Sequence, residues 1–347
     1  MQRRRYFSSR CGAGSLALVV VLIALAGCGS GTATSEASPT GNFAIKGQVP
    51  SEFIQDPPAE LVKAAGVNPG EVTAAIAEAR KLTWNYVEAG GVTQAVACSG
   101  SGSPTVVYSN GLLVPAAWTW PVVAAGQART NRVCMFDRPG TGISPTRPDS
   151  AKPNGPVANA NEMFALMAAI GEKGPFVLVG WSYGGMVVRT AAALQPDQVS
   201  GMNLVDAVSP TQYRTFDTSG WSEGGQDFDM KAAEEAVGTT GPKLGSKPLV
   251  VLQAGKELDL PGTPEAPNRP LPAGAAKAWA AAQKQAASIS ANSVLGVVTK
   301  SAHTIPQVAP NSVIAAVTAI SASITTGQPM AACPASFPPA GIACQAK

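Results

Sequence analysis

Between Pro175 and Leu194 the chain reads PFVLVGWSYGGMVVRTAAAL, and the five residues Gly180-Trp181-Ser182-Tyr183-Gly184 set a serine between two glycines. An apolar strand pattern stops there and an alanine-rich helical pattern begins without a break. Turning directly from strand into helix forces the serine into a strained backbone conformation and lifts its hydroxyl above the sheet. Small residues two positions before and after are then needed to avoid collision. The helix that follows directs its N-terminal amides at the point where negative charge would develop during acyl transfer. Ser182 is therefore a candidate nucleophile, and a nucleophilic hydroxyl needs a base. The chain has one histidine, His303, which lies 121 residues further on, just past an apolar strand pattern and before the last helical one. The third member would be a carboxylate lying between them in the chain. Asp206, closing the strand after the serine helix, is preferred; Asp259 and Glu257, after the next strand, are the alternatives.

The elements that must position these residues alternate. Strand patterns fall at Ser103–Gly111, at Arg132–Ser144 where the strand runs into a glycine turn, in the first part of Pro175–Leu194, and at Gly201–Val208, Lys247–Gly255 and Ser293–Thr299. Helical patterns fall at Trp118–Gln127, at Ala160–Gly171, in the second part of Pro175–Leu194, and at Ala275–Ser290 and Asn311–Ile324. Ahead of them come two short helices within Ala59–Leu82, broken at Asn68-Pro69-Gly70, and a strand-turn-strand over Trp84–Cys98. Apolar strands alternating with helices predict right-handed βαβ units and a mainly parallel sheet covered on both faces. Ligands of such a sheet bind beyond the carboxyl ends of its strands, which is where Ser182, Asp206 and His303 all fall.

From about Val92 to Ile324 the chain resembles the α/β-hydrolases, in particular those carrying a segment like DRPGTGIS (Asp137–Ser144) ahead of PFVLVGWSYGG. LVDAVSP, KPLVVLQAG and SAHTIPQVAPNSV follow in the same order. The resemblance implies an α/β-hydrolase fold with a mainly parallel central sheet, helices on both faces and a small cap at about 207–246. It also implies an oxyanion hole made by the backbone amides of Leu112 and Tyr183. Two departures bear on the pocket: Trp181 stands where a histidine is more usual, and Ser109-Asn110-Gly111 replaces a histidine-glycine pair. Asp137-Arg138 reads as a structural ion pair or turn that holds the glycine loop beside the sheet. The cap contains Tyr213, Phe216, Trp221 and Phe228, which could line a pocket or simply pack the cap itself.

The implied activity is cleavage of a carboxylic ester through an acyl-enzyme on Ser182, with a small ester or acyl compound as substrate. A thioesterase, amidase or peptidase would use the same triad. Haloalkane and epoxide hydrolysis are disfavoured, because they require an aspartate in the place of Ser182. The alternative of another class is a catalytically inactive hydrolase fold acting as a binding lipoprotein. No phosphate-loop pattern accompanies the elbow and Gly140 and Gly142 are explained by the hydrolase turn, so no cofactor is expected.

Composition sets the remaining bounds. The net charge is +3, to which Arg3, Arg4 and Arg5 contribute at the extreme N-terminus, so nothing suggests a nucleic-acid partner. After those arginines, Leu16–Ala26 is an apolar run too short to span a bilayer as an ordinary helix, and it ends in Leu25-Ala26-Gly27-Cys28. That tetrapeptide resembles the bacterial lipoprotein signal, which implies removal of residues 1–27 and lipidation of Cys28. A tether over 28–57, a hydrolase domain over 58–325 and a Pro-rich tail over 326–347 would follow, with the protein held at the membrane by its lipid. The expected location is the outer face of the cytoplasmic membrane, or elsewhere outside the cytoplasm. Four further cysteines, Cys98, Cys134, Cys333 and Cys344, suit an oxidising compartment, and with one histidine a metal cluster is disfavoured. Three pairings are possible. Cys333–Cys344 would close the tail locally, leaving Cys98–Cys134 by elimination.

Overall fold

The computed structural model describes residues 44–64, 67–149, 154–211, 214, 222–224, 226–238, 243–256 and 274–345. Cys28, Glu257, Asp259, Tyr213, Phe216 and Trp221 lie outside them, as does the proposed signal segment.

In chain order the elements begin with β1 (Ala44–Gln48), α1 (Ala59–Ala64), α2 (Pro69–Arg80), β2 (Trp84–Ala89), β3 (Val92–Ser99) and β4 (Val106–Ser109). Then come α3 (Ala116–Thr119), α4 (Pro121–Gln127), β5 (Val133–Asp137), α5 (Pro156–Ala169), β6 (Phe176–Trp181), α6 (Tyr183–Leu194) and β7 (Val199–Val205). The cap region holds β8 (Ser222–Glu223), β9 (Gln226–Asp227) and α7 (Met230–Val237). The chain closes with β10 (Leu249–Ala254), α8 (Ala275–Ala287), β11 (Ser293–Val298), α9 (Ile305–Val308), α10 (Pro310–Thr326) and β12 (Ile342–Gln345).

Among the described residues ten strands form one sheet in the order β1-β2-β3-β5-β4-β6-β7-β10-β11-β12. The six from β5 to β11 run parallel, while β1, β2 and β3 on one side and β12 on the other are antiparallel. Two apolar cores flank the sheet. One lies under α5, α6, α7 and α8 and includes Val107, Phe136, Leu178, Leu204 and Val251. The other lies under α2, α4 and α10 and includes Val106, Met135, Val179, Val205 and Val250. Successive residues of one strand thus serve opposite cores, and both must be apolar, which explains the continuous runs VVY, VLV and LVVL.

The strand order fixes where a site can form. From β4 the chain crosses by α4 to β5 on one side; from β6 it crosses by α6 to β7 on the other. The chain therefore leaves β4 and β6 toward opposite sides, and the carboxyl ends of these two strands mark the switch point at which sheets of this kind bind ligands.

Two domain boundaries read from the sequence are corrected. Residues 44–57 were expected to be tether, but β1 pairs with β2 and Val49 and Ile54 are buried. Arg80 donates through Nε and Nη2 to the Ile54 carbonyl at 3.2 and 2.8 Å, and Trp118 Nε1 donates to the Gln55 carbonyl at 2.9 Å. These long-range bonds fix a segment whose own composition does not demand structure. The tail is likewise part of the domain. β12 pairs with β11 from Ile342↔Val298 to Gln345↔Leu295, and Phe337 is completely buried in the second core. Both expected disulfides are formed, Cys98–Cys134 between the paired strands β3 and β5 and Cys333–Cys344 across the tail.

If the tail is structural, Phe337→Ala will cost about 3–5 kcal/mol of unfolding free energy through the cavity it leaves. Phe53→Ala, at a side chain 52% exposed, will change stability by no more than about 0.5 kcal/mol. Urea denaturation of the two variants beside the parent checks the contrast.

Candidate active site

The turn from β6 into α6 has the geometry its sequence predicts. Ser182 lies at φ 54° and ψ −121° between the last residue of β6 and the first of α6. The glycines around it face backbone or small side chains, not open space. A Cβ on Gly180 would overlap the carbonyl of Gly184; one on Gly184 would overlap the carbonyls of Ser109 and Asn110; one on Gly185 would overlap the Ala207 methyl. The elbow thus abuts two other turns, the one leaving β4 and the one leaving β7.

Asp206 leaves β7 beside it, because Trp181 pairs with Val205 across the β6–β7 ladder. Its own φ is 42°, and its carboxylate is completely buried. Oδ1 accepts from the Ala254 amide at 3.1 Å and Oδ2 lies 2.7 Å from Nδ1 of His303. His303 follows β11 and is itself buried. The structure brings the preferred acid, Asp206, against the histidine. With Nδ1 engaged, Nε2 is the ring nitrogen left for other chemistry.

Two tryptophans hold the imidazole in place. Trp181 lies 5.4 Å away, tilted by 40°, and its Nε1 donates to the His303 carbonyl at 2.7 Å. Trp279 of α8 meets the ring edge-on, also at 5.4 Å. Trp181 further fills the space over Gly111, where a Cβ would come within 2.8 Å of its ring. The residue in place of the more usual histidine is therefore a spacer between the β4 turn and the base. Buried Gln283 of α8 secures the acid turn, accepting from the Ala207 amide at 3.3 Å and donating to its carbonyl at 2.8 Å.

Tyr183 and Leu112, expected to supply amides to the site, lie on the two diverging turns. Tyr183 is the first residue of α6, so its N–H has no partner within the helix. Its side chain turns inward, stacks on Phe228 of the cap at 4.6 Å and accepts from Asn159 Nδ2 at 2.9 Å. Leu112 precedes Leu113, at φ 57°. Among the described residues, only Leu113, Ser182 and Asp206 adopt positive φ without being glycine. They lie on the turns that follow β4, β6 and β7, and strain of this kind persists only where the surroundings enforce it.

The structure refines the reading of Asp137-Arg138. The two are not each other's main partners. Asp137 accepts from the amides of Ala116 at 2.7 Å and Ile143 at 3.1 Å, tying the start of α3 to the glycine loop. Burial pushes its carboxyl up to about 6, against those two backbone bonds, which lower it. Arg138 instead pairs with Glu223 of the cap at 2.5 Å. Burial alone would lower the guanidinium's pKa, but the adjoining Glu223 charge and hydrogen bonds outweigh it, and the net direction is upward. Glu223, Gln283 and Trp279 were not found by sequence reading. Their contacts with the site cross 85, 76 and 24 residues respectively, and no local spacing announces them.

Comparison with known proteins adds the family. A model described as the alpha/beta hydrolase fold matches residues 104–299, more than half of the chain. A solved structure from Acinetobacter baumannii, described as a proposed lipase, superposes with a TM-score of 0.52 at 16% identity, covering 76% of this chain and 99% of that one. A membrane phospholipase A described as a bacterial virulence factor superposes with a TM-score of 0.51 at 16% identity, covering 76% and 92%. At these identities the likeness is one of fold. An uncharacterized vacuolar membrane protein of Saccharomyces cerevisiae is 35% identical over 81 residues, spanning 23% of this chain and only 12% of its own length.

The elbow geometry carries a prediction of its own. Gly184→Ala must displace backbone at Ser109 and Asn110 and will cost more than about 3 kcal/mol or prevent folding. Gly171→Ala places its Cβ in open space at φ 80° and will cost only about 1–2 kcal/mol, for conformational strain. Thermal and chemical denaturation of both variants tests the difference.

Proposed function

The chain belongs to the α/β-hydrolase fold family, and on that premise we propose that it is a serine hydrolase that cleaves carboxylic esters through an acyl-enzyme on Ser182. One observation carries the reading. A serine held at positive φ on a strand-helix turn is hydrogen-bonded through its backbone to Val205 and Val208, on either side of the Asp206 of a buried carboxylate-imidazole pair, Asp206 and His303, 2.7 Å apart. A chance serine between glycines has no reason to adjoin the turn whose carboxylate holds the chain's single histidine.

In this reading Ser182 Oγ attacks the ester carbonyl while His303 Nε2 takes its proton. Asp206 accepts from Nδ1–H, fixing the tautomer and stabilising the imidazolium that forms. The carbonyl π electrons move onto oxygen, and the amides of Tyr183 and Leu112 receive that charge. Collapse of the intermediate breaks the ester C–O bond, and the leaving alkoxide takes the proton from His303. Water then enters by the same route: His303 removes its proton as its oxygen adds to the acyl carbon, the acyl–Ser182 bond breaks with that proton passing from His303 to Ser182 Oγ, and the carboxylic acid leaves. Trp181 and Trp279 confine the imidazole, so that its freedom is spent before the substrate arrives.

We also propose that Cys28 carries the lipid that holds the domain at the membrane, outside the cytoplasm. The basic start, the short apolar run and the Leu-Ala-Gly-Cys sequence support it. Two disulfides are what an oxidising compartment permits.

A fluorophosphonate probe should add once to the purified protein, as read by intact mass. The adduct should vanish in Ser182→Ala and form far more slowly in His303→Ala. Asp206→Asn should lower kcat on p-nitrophenyl esters by on the order of 10⁴-fold, by presenting the wrong tautomer. A folded wild type that takes no label, while a known serine hydrolase does, would sink the enzyme reading and leave a binding protein. In fractionated cells, Cys28→Ala should move the protein out of the membrane fraction; if it stays there, the lipid assignment is wrong.

A further inference from the structure

One buried ion pair connects the cap to the turn after β4. Arg138 and Glu223 meet at two points, Nε to Oε2 at 2.8 Å and Nη2 to Oε1 at 2.5 Å, with side chains 0% and 1% exposed. The pair's further hydrogen bonds converge on a single stretch of backbone. Arg138 Nη1 donates to the Asn110 carbonyl at 2.7 Å and Nη2 to the Gly111 carbonyl at 2.7 Å. Glu223 Oε1 accepts from the Leu113 amide at 3.1 Å. Leu112 is thus bracketed: the two carbonyls before it and the amide after it are all held by one ion pair. The guanidinium also lies 5.0 Å over the ring of Tyr183.

Burying two charges is expensive, and an apolar pair of similar volume would stabilise the fold as well or better. What an apolar pair could not do is hold two carbonyls and an amide in register. Leu113 sits at φ 57°, a conformation costly for a leucine and held here from outside by Glu223. The outer end of the latch is itself fixed. Gly224 and Gly140 meet backbone to backbone, and Asn154 Nδ2 donates to the Glu223 carbonyl at 3.3 Å. The Asp229 amide in turn donates to the Asn154 carbonyl at 3.1 Å.

We propose that Arg138 and Glu223 are positioning residues that aim the Leu112 amide at the developing oxyanion, with the cap hairpin as their outer anchor. This rests on the hydrolase reading above and deepens it: Glu223 of the cap supplies one half of the clamp on the oxyanion turn. The two groups act through backbone and touch no substrate atom, so substrate binding should be nearly indifferent to them and turnover should not.

The test uses the full chain with Glu223→Ala and Glu223→Gln. It reads kcat and KM on p-nitrophenyl butyrate, Ki for a trifluoromethyl ketone that forms a tetrahedral oxyanion on serine, and amide hydrogen exchange over residues 110–115. Glu223→Ala should lower kcat about 10- to 100-fold with KM within about threefold, since a displacement near 1 Å is enough for such a loss. Ki should rise by the same factor as kcat falls, exchange over 110–115 should quicken, and the acid limb of the kcat/KM profile should not move. Glu223→Gln, which keeps an acceptor for Leu113, should recover part of the loss. A folded Glu223→Ala with wild-type kcat and Ki overturns the proposal, as does a fall in kcat with Ki unchanged. If the alanine variant does not fold, the glutamine variant decides: a weaker ketone Ki supports the clamp, and an unchanged one overturns it. An inactive, unlabelled wild type removes both readings, whereas an active wild type indifferent to Glu223 removes this one alone.

Discussion

Backbone meeting backbone at the β6–α6 elbow is the constraint on which the rest of the structure depends. Gly180, Gly184 and Gly185 each leave room for a different neighbour: the elbow's own return, the turn carrying Ser109 and Asn110, and the turn carrying Asp206 and Ala207. Any side chain at these positions would push one loop away from the serine. The glycines therefore do more than permit a sharp turn. They set the separation of nucleophile, acid and oxyanion turn by van der Waals contact, the stiffest ruler a protein has.

That close approach explains why strain gathers here. The non-glycine residues described at positive φ are Leu113, Ser182 and Asp206, one on each of the three abutting turns. Each conformation is unfavourable alone, and each is enforced by contacts from elsewhere. Leu113 donates to Glu223 of the cap; the Ser182 amide donates to Val205 at 3.1 Å; the Asp206 amide donates to Leu252 at 2.7 Å. The acid and elbow turns are thus tied to the parallel strands, while the oxyanion turn is tied to the cap. The two kinds of support differ in rigidity, because Val205 and Leu252 are ladder residues and Glu223 belongs to a two-residue strand.

How much of this was legible in the sequence follows from the range of each interaction. The elbow was legible because its logic is local: strand, glycine, serine, glycine and helix lie within twenty residues. The parallel sheet was legible because strands buried on both faces must be apolar throughout. His303 stood out as the chain's single histidine, beyond a strand of the correct sense. Asp206 could be preferred but not separated from Asp259 and Glu257, since the choice depends on which carboxylate reaches the imidazole, and that is a matter of three-dimensional distance. β1 went unread because its residues are all exposed and show no alternation. β12 was hidden by the prolines around it, although Phe337 and Ile342 anchor it from within. Glu223 could not be seen at all: nothing in a polar cap segment distinguishes the one glutamate that turns inward.

The placement of the terminal strands has a consequence for crowding. An open sheet exposes two rows of unpaired backbone groups, and these invite another copy to add itself as a further strand. Among the described residues β1 and β12 form those edges, and both are short. β1 shifts register between Ile45 and Gly47 and carries Lys46, whose charge is matched within the chain by Glu88. β12 is pinned by the Cys333–Cys344 bond. The edges are thus irregular on one side and covalently restrained on the other, poor templates for strand addition.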